Sequence, residues 1–320
     1  MKTSPLGELS TFAKLVFVVL LVISGFIIFF LAGILFAIPL YHVNLLNNMS
    51  VLTEFNDPQA ISLLKYFQFI QSIGFFILPA LLAGWFFEGN ATGYLKLNKT
   101  SPVTIFVITI FIMFVSLPAI NWIISVNEMM KLPAALHGVE QWMKDTEDQA
   151  AQLTDAFLNT NTIGGLAVNL LMIAIIPAIG EEMLFRGILQ RLFSEWFRNI
   201  HMAILFTAFI FGAVHLQFYG ILPRMILGIL FGYLFYWTGS LWLPIFAHFL
   251  NNGSAVIVSF FISRNIVKQE YENFGSTNNV FFIVGSIVLT GLLLFWVYQL
   301  RFKKNYTELH REDTEFHGEK

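Results

Sequence analysis

The sequence contains no cysteine and few charges: 12% of its 320 residues are charged, where a soluble domain carries roughly 25%. The absence of cysteine excludes disulfides, cysteine-ligated zinc or iron–sulfur centres, and a thiol nucleophile. The 18 basic residues nearly balance the 20 acidic ones and are scattered, so the chain lacks the positive patch that binds nucleic acid. Glycine-rich phosphate loops and internal repeats are also missing.

Apolar residues, in contrast, make up 57% of the sequence, and its mean hydropathy is +0.71. A water-soluble fold of this size could not cover so much apolar surface. Since about 20 apolar residues cross a bilayer as a helix, the sequence predicts an all-α, polytopic transmembrane helical bundle of about eight spans, forming one integral membrane domain over residues 1–320. The predicted spans are Leu15–Leu40, Leu63–Phe87, Val103–Val126, a stretch from about Ile163 into Glu181, His201–Leu216, Arg224–Trp237, Trp242–Phe261 and Asn279–Leu300.

Basic residues are distributed unevenly among the short connections, and Lys and Arg favour cytoplasmic loops. Eight spans with both termini in the cytoplasm place most of these residues on the cytoplasmic side. We therefore expect a multi-pass protein of the cell membrane with both termini cytoplasmic, although Arg264 and Lys268 would then face outward beside Glu270 and Glu272. The residues on the cytoplasmic side would be Lys96, Lys99, Arg186, Arg191, Arg198, Arg301, Lys303 and Lys304.

The connection 127–157 differs from the others. Between Asn127 and Asp155 it carries two lysines and six acidic residues, and its apolar residues recur at roughly helical spacing. This pattern predicts an amphipathic extracytoplasmic segment. Two interpretations stay open, a solvated acidic linker helix and a lid or substrate-guiding element. The charged end, 303–320, is expected to be a flexible tail.

Ionisable residues inside the apolar stretches gather in one third of the chain. A charged side chain at the centre of a membrane helix costs roughly 2.5–3.5 kcal/mol on insertion scales. Such residues are therefore expected to meet each other or water in the bundle interior. They are Glu181, Glu182, Arg186, His215, Arg224 and His248.

Spacings of four residues recur among these groups. Glu182 lies four positions before Arg186, which allows an ion pair on one helix, and His248 lies four before Asn252, so both project from one helix face. His215 follows Phe211 at the same spacing. In lipid these polar faces must turn toward each other.

The residue types suggest hydrolysis. A carboxylate and an imidazole can deprotonate a water directly or through a metal ion, and a second imidazole with an amide can donate to a developing oxyanion. A nucleophile elbow and a His-Glu-x-x-His pair are both missing from the sequence. Metal content is undecided at this point: Zn²⁺ held by Glu181, His215 and His248 is one possibility, and a metal-free site with Glu181 as base is the other.

Three strings resemble the motifs of the CAAX protease and bacteriocin-processing family, also called CPBP or Abi. Glu181 to Arg186 is similar to Glu-Glu-x-x-x-Arg, Phe211 to His215 to Phe-x-x-x-His, and His248 to Asn252 to His-x-x-x-Asn. The strings occur in the family's order on successive predicted membrane segments, within a motif-bearing core of residues 163–261.

The resemblance implies an intramembrane endopeptidase that acts on a peptide or a membrane-associated protein within the lipid bilayer. It implies that Glu181 and His215 activate water, that His248 and Asn252 form the oxyanion site, and that Glu182 and Arg186 support them. Two other functions remain open: a catalytically silent protein of the bacteriocin-immunity type, and a transporter that uses the polar cluster as an ion site.

Overall fold

The fold is all-helical, as predicted. The computed structural model describes residues 4–43, 45, 52 and 54–317, with side chains for all of these except 272–273 and 302–317, and this part of the chain contains no strand. Six of its helices are long and apolar enough to cross a membrane, and a bent pair provides a seventh candidate span. The protein is therefore a multi-pass membrane protein.

Each of the eight predicted spans corresponds to a helix or a helix pair. The third predicted span is bent by 44° between two helices, and the fifth is a short apolar helix of 14 residues. The helices are α1 (Thr11–Tyr41), α2 (Pro58–Glu88), α3 (Val103–Val115), α4 (Leu117–Glu128), α5 (His137–Leu158), α6 (Ile163–Phe197), α7 (Ile200–Ala213), α8 (Ile221–Thr238), α9 (Trp242–Ser263) and α10 (Val280–His317).

The long helix α6 forms the centre of the bundle, and polar contacts fix α8 beside it. Arg186 Nη2 donates to the backbone oxygen of Gly228 at 3.1 Å, and Gln190 Nε2 donates to that of Gly232 at 3.1 Å. The second pair lies four residues, about one helical turn, after the first on both helices. The two helices therefore run side by side over this distance. A Cβ at Gly228 would lie 2.9 Å from the Cβ of Ala208 on α7, so only glycine allows this approach.

At one end of the bundle, loops that carry basic residues meet. Ser240 Oγ donates to the backbone oxygen of Lys99 at 2.7 Å, and Trp242 Nε1 donates to that of Leu97 at 2.8 Å. Arg191 donates to the backbone oxygen of Tyr94. The connection that carries Lys96 and Lys99 thus lies at the same end as Arg191, whereas Arg186, which was predicted to share that side, is buried inside the bundle. The identity of that side stays a prediction.

Helix α5 lies across part of the opposite end. Its Trp142 ring packs against Phe218 with centroids 5.2 Å apart, and Glu147 Oε2 accepts the backbone N–H of Tyr219 at 3.2 Å. Near its end, the backbone oxygen of Phe157 accepts from Lys65 Nζ on α2 at 2.9 Å. The amphipathic helix is therefore held near both ends.

The bounds of the segment 127–157 differ from the expectation at its start. Asn127 belongs to α4 and is buried. Its Nδ2 donates to the backbone oxygen of Phe218 at 3.1 Å, and its Oδ1 accepts the N–H of Leu222 at 2.9 Å. The first N–H groups of a helix have no partner within it, and Asn127 supplies one for α8.

The charged end, for which we expected a flexible tail at 303–320, has a helical backbone, and its flexibility stays a prediction. The backbone of α10 continues as a helix as far as His317, and residues 318–320 lie outside the described part. Lysine, glutamate and arginine have good intrinsic helix propensity, and extending a formed helix requires no new nucleation. The charge of this segment therefore does not end the helix.

Candidate active site

A cavity of about 320 Å³ opens between α1, α2 and α6, and it carries two of the predicted site residues, Glu181 and His215. Glu181 projects from α6, and His215 lies in the turn after α7. The Glu181 carboxylate and the His215 imidazole, which belong to separate elements, thus line the same cavity. The lining residues are Phe26, Gln68, Gln71, Ser72, Phe75, Phe76, Pro177, Glu181, Val214 and His215.

A buried ion pair lies behind this cavity. Arg186 Nη1 donates to Glu182 Oε1 at 2.7 Å, and both side chains are almost completely inaccessible to solvent. The guanidinium also lies over the rings of Phe211, 4.7 Å from the centroid, and Phe231, at 5.4 Å. The pairing of Glu182 with Arg186 that their spacing predicted is present.

Glu182 also holds His248, a contact that the sequence did not reveal. Nδ1 of His248 lies 2.9 Å from Glu182 Oε1, and its ring stacks on Phe231. Because a carboxylate paired with an arginine accepts hydrogen bonds, Nδ1 carries a proton and the ring is fixed in orientation. Nε2 then faces Glu181, 3.8 Å from its Oε2.

His215 is oriented by a backbone oxygen. Its Nδ1 lies 2.8 Å from the carbonyl oxygen of Phe211. A carbonyl oxygen only accepts, so Nδ1 is the donor, and Nε2 of the neutral ring keeps a lone pair. The predicted helix His201–Leu216 is too long: α7 ends at Ala213, because Leu216 adopts the left-handed region with φ of 54°.

Asn252 contacts His248 and also has a structural contact. Its Nδ2 lies 3.3 Å from His248 Nε2 and donates to the backbone oxygen of Ile173 at 3.0 Å. That oxygen has no ordinary helical partner, because residue 177, four positions later, is a proline without an N–H. The amide therefore replaces a hydrogen bond that Pro177 removes from α6.

His248 and Asn252 are not among the lining residues of the cavity, although the resemblance implies that they act with Glu181 and His215 at one site. His248 lies behind Glu181 instead. The four-residue spacing predicted which face of the helix carries these residues. It could not predict how far each side chain lies from the cavity.

Three π-helical turns surround the cluster: Ile73–Ile77 in α2, and Leu170–Ile175 and Met183–Leu189 in α6. A π turn inserts one residue into the hydrogen-bond ladder and is frequent at functional sites. Glu181 and Glu182 lie between the two π turns of α6. The carboxylates are therefore carried by a section of helix whose register departs from a regular α-helix on both sides.

Sequence reasoning missed Gln71, which also lines the cavity. Both atoms of its side-chain amide are buried, and neither has a hydrogen-bond partner among the described residues. A signal was present: Lys65, Gln68 and Ser72 share the same apolar span at spacings of three and four, which places them along one helix face.

The donor geometry does not favour the predicted zinc option with Glu181, His215 and His248. Within the described part of the chain, no three His, Asp or Glu side chains are arranged to hold a metal ion. His248 uses Nδ1 for Glu182, and the amide nitrogen of Asn252 lies 3.3 Å from its Nε2. These three side chains are therefore not arranged as a three-ligand set in this structure.

Comparison with known proteins identifies the segment that carries the cluster. Residues 163–254 match the model of the family described as Type II CAAX prenyl endopeptidase Rce1-like. This match contains all of the predicted site residues.

Two Bacillus subtilis (strain 168) proteins are similar in sequence. One, named "Putative membrane peptidase YdiL", is 32% identical over 117 residues, which cover 37% of this chain and 47% of the relative. The other, "Uncharacterized protein YpbD", is 33% identical over 86 residues, 26% of this chain and 41% of the relative. The chain thus spans less than half the length of these relatives. No solved structure matches it. Segment 163–254, with its three motifs, is thus similar to the CAAX protease and bacteriocin-processing family that the sequence indicated.

Proposed function

We propose that the protein is an intramembrane endopeptidase of the CAAX-protease type, with residues 163–261 as its catalytic core. The observation that carries the proposal is the position of Glu181 and His215 on the same cavity, contributed by α6 and by the turn after α7. A carboxylate and a neutral imidazole facing one space can hold and deprotonate a water. The family match over 163–254 and the printed name of the first relative support the same reaction class.

In the proposed reaction, a water in the cavity donates one hydrogen bond to Nε2 of His215 and its other proton to Glu181. The water oxygen attacks the carbonyl carbon of the scissile peptide, and the electron pair of the C=O bond moves to the oxygen. Glu181 then passes its proton to the amide nitrogen as the electron pair on the oxygen re-forms the C=O bond and the C–N bond breaks. These reaction steps need only groups of the protein, the water and the substrate.

His248 and Asn252 are proposed to stabilise the oxyanion. Because Nδ1 of His248 is held by Glu182, Nε2 is the ring atom that can donate to the oxyanion, which requires that it be protonated and leave its contact with Asn252 Nδ2. Before the reaction, Asn252 holds the neutral ring and the α6 backbone at Ile173, and its amide can donate to the oxyanion once that contact opens. Glu182 and Arg186 are positioning residues, since they fix the ring of His248 without facing the cavity.

The proposed substrate is a peptide or the tail of a membrane-associated protein, because the cavity lies between helices of an apolar bundle. The test compares terminal peptides, by mass spectrometry, of membranes that contain the wild type or Glu181→Ala. Glu195→Ala is the matched control, because Glu195 is exposed on the same helix α6. We expect new chain termini in the wild type and the control that disappear with Glu181→Ala. Identical termini in all three membranes would refute the proposed activity.

A further inference from the structure

We infer that Gln71 is a substrate-positioning residue, whose side-chain amide pairs with the peptide backbone next to the scissile bond. The inference rests on the proposed peptidase function and adds a contact for its substrate. Gln71 lies on α2, outside the segment 163–254, and none of the three motifs includes it. Its place is on the cavity that Glu181 and His215 line.

The amide of Gln71 is an unusual group in this interior. Its Nε2 and Oε1 are both buried, and neither has a hydrogen-bond partner in the described part of the protein. Burying an amide without partners costs free energy, and most buried polar groups in folded proteins are satisfied. An unpaired amide on a residue that lines a cavity is suited to a ligand that supplies both a donor and an acceptor.

An extended peptide backbone supplies that pair. The N–H and the carbonyl oxygen of one residue in it point the same way, so the N–H can donate to Gln71 Oε1 while the carbonyl oxygen accepts from Nε2. Such pairing does not depend on substrate side chains. Gln71 would therefore orient the backbone on either side of the bond presented to Glu181 without selecting for sequence.

Close helix packing brings Gln71 to the catalytic carboxylate. At Gly180, the neighbour of Glu181, an added Cβ would lie 3.0 Å from the Cβ of Phe76 and 3.1 Å from Cγ1 of Ile77. The same Cβ would be 3.7 Å from the backbone oxygen of Ser72, the residue after Gln71. The glycine thus lets α2 pack against α6 at the height of the proposed active site.

The test uses the full chain, purified in detergent, and an internally quenched peptide that the wild type cleaves. This peptide is selected from a library that includes farnesylated and unmodified sequences. Two analogues replace the peptide bond before or after the scissile bond by an ester, which removes one N–H. Values of kcat/KM are measured for the wild type, Gln71→Met and Gln59→Met, a control on the same helix whose residue does not line the cavity.

We expect one ester to lower kcat/KM about tenfold in the wild type and in Gln59→Met, the effect of one hydrogen bond, and to have little effect in Gln71→Met. With the all-amide peptide, Gln71→Met should lose about tenfold, mainly through KM. Its thermal midpoint should not fall, because methionine removes a buried amide without partners.

Equal ester effects in the wild type and Gln71→Met would overturn the inference while leaving the peptidase proposal intact. If Gln71→Met does not fold, Gln71→Leu is measured in the same way, and failure of both to fold would show that Gln71 is structural and overturn the inference. If the wild type cleaves no peptide of the library, the proposed function fails, and the inference fails with it.

Discussion

Glu182 Oε1 lies 2.9 Å from Nδ1 of His248, although the two residues are 66 positions apart. The same oxygen accepts from Arg186 at 2.7 Å, so one carboxylate oxygen joins the first and third motifs. A carboxylate behind an imidazole fixes the tautomer and orientation of the ring, as in the Ser-His-Asp triad. The buried ion pair and the position of His248 are therefore one structural unit.

The buried pair predicts non-additive losses of stability. Glu182→Met or Arg186→Met alone leaves a buried charge without its partner, which costs about 3–5 kcal/mol. The double variant removes both charges, so its loss should be smaller than the sum of the single losses by about 0.5–3 kcal/mol. Thermal unfolding in detergent measures all four proteins. Additive losses would mean that the pair does not act as a unit.

The contact between Asn252 and Ile173 predicts a dependence on Pro177. Asn252→Leu removes the donor to a buried carbonyl and should cost about 1–3 kcal/mol. In a Pro177→Ala background, the new N–H of residue 177 can serve the same carbonyl, so the cost of Asn252→Leu should fall by about 1 kcal/mol. Thermal midpoints of the four combinations measure this. An unchanged cost in the Pro177→Ala background would show that Asn252 does not stabilise the protein by replacing the hydrogen bond that Pro177 removes.

The close contact of α2 at Gly180 leads to a third prediction: a side chain added at this position should push α2 away from α6. Gly180→Ala should destabilise the protein by about 1–3 kcal/mol through overpacking, and it should lower kcat/KM about tenfold by displacing Glu181. Gly164→Ala on the same helix is the control, because nothing lies within 4 Å of its added Cβ. Peptide cleavage and thermal unfolding are measured together. A neutral Gly180→Ala would argue against tight packing at this position.

The distribution of basic residues predicts the orientation of the chain. Reporter fusions after Asn98 and Tyr306 should report the cytoplasm, and one after Asp148, on α5, should report the outside. The loops near Leu97 and Ser240 touch each other, so they must share a side. A fusion after Tyr306 that reports the outside would reverse the proposed orientation.

Local sequence patterns correctly predicted the features that depend on residues close together in the chain. The run Leu15–Leu40 indicated α1, and the spacing of Glu182 and Arg186 indicated their ion pair, because helical periodicity determines both. The end of α7 before His215 was missed, since it depends on the backbone conformation at Leu216. An apolar sequence carries no strong stop signal there.

Contacts between distant residues could not be predicted. Nothing in the neighbourhood of Glu182 indicates that its partner is His248, because the contact arises only when α6 packs against α9. Gln71 was overlooked for a different reason. Uncharged polar residues are less conspicuous in a membrane helix than ionisable ones, and the spacing of the polar residues on α2 does not show that the amide of Gln71 is buried without a partner.

The initial rate of peptide cleavage by Glu181→Gln tests the central claim most directly. The substitution keeps the shape of the side chain but removes the base, so the rate should fall by about 10²–10⁴-fold with an unchanged thermal midpoint. Glu195→Gln, on the exposed end of α6, should cleave like the wild type. Cleavage by folded Glu181→Gln at the wild-type rate would contradict a site in which Glu181 activates water.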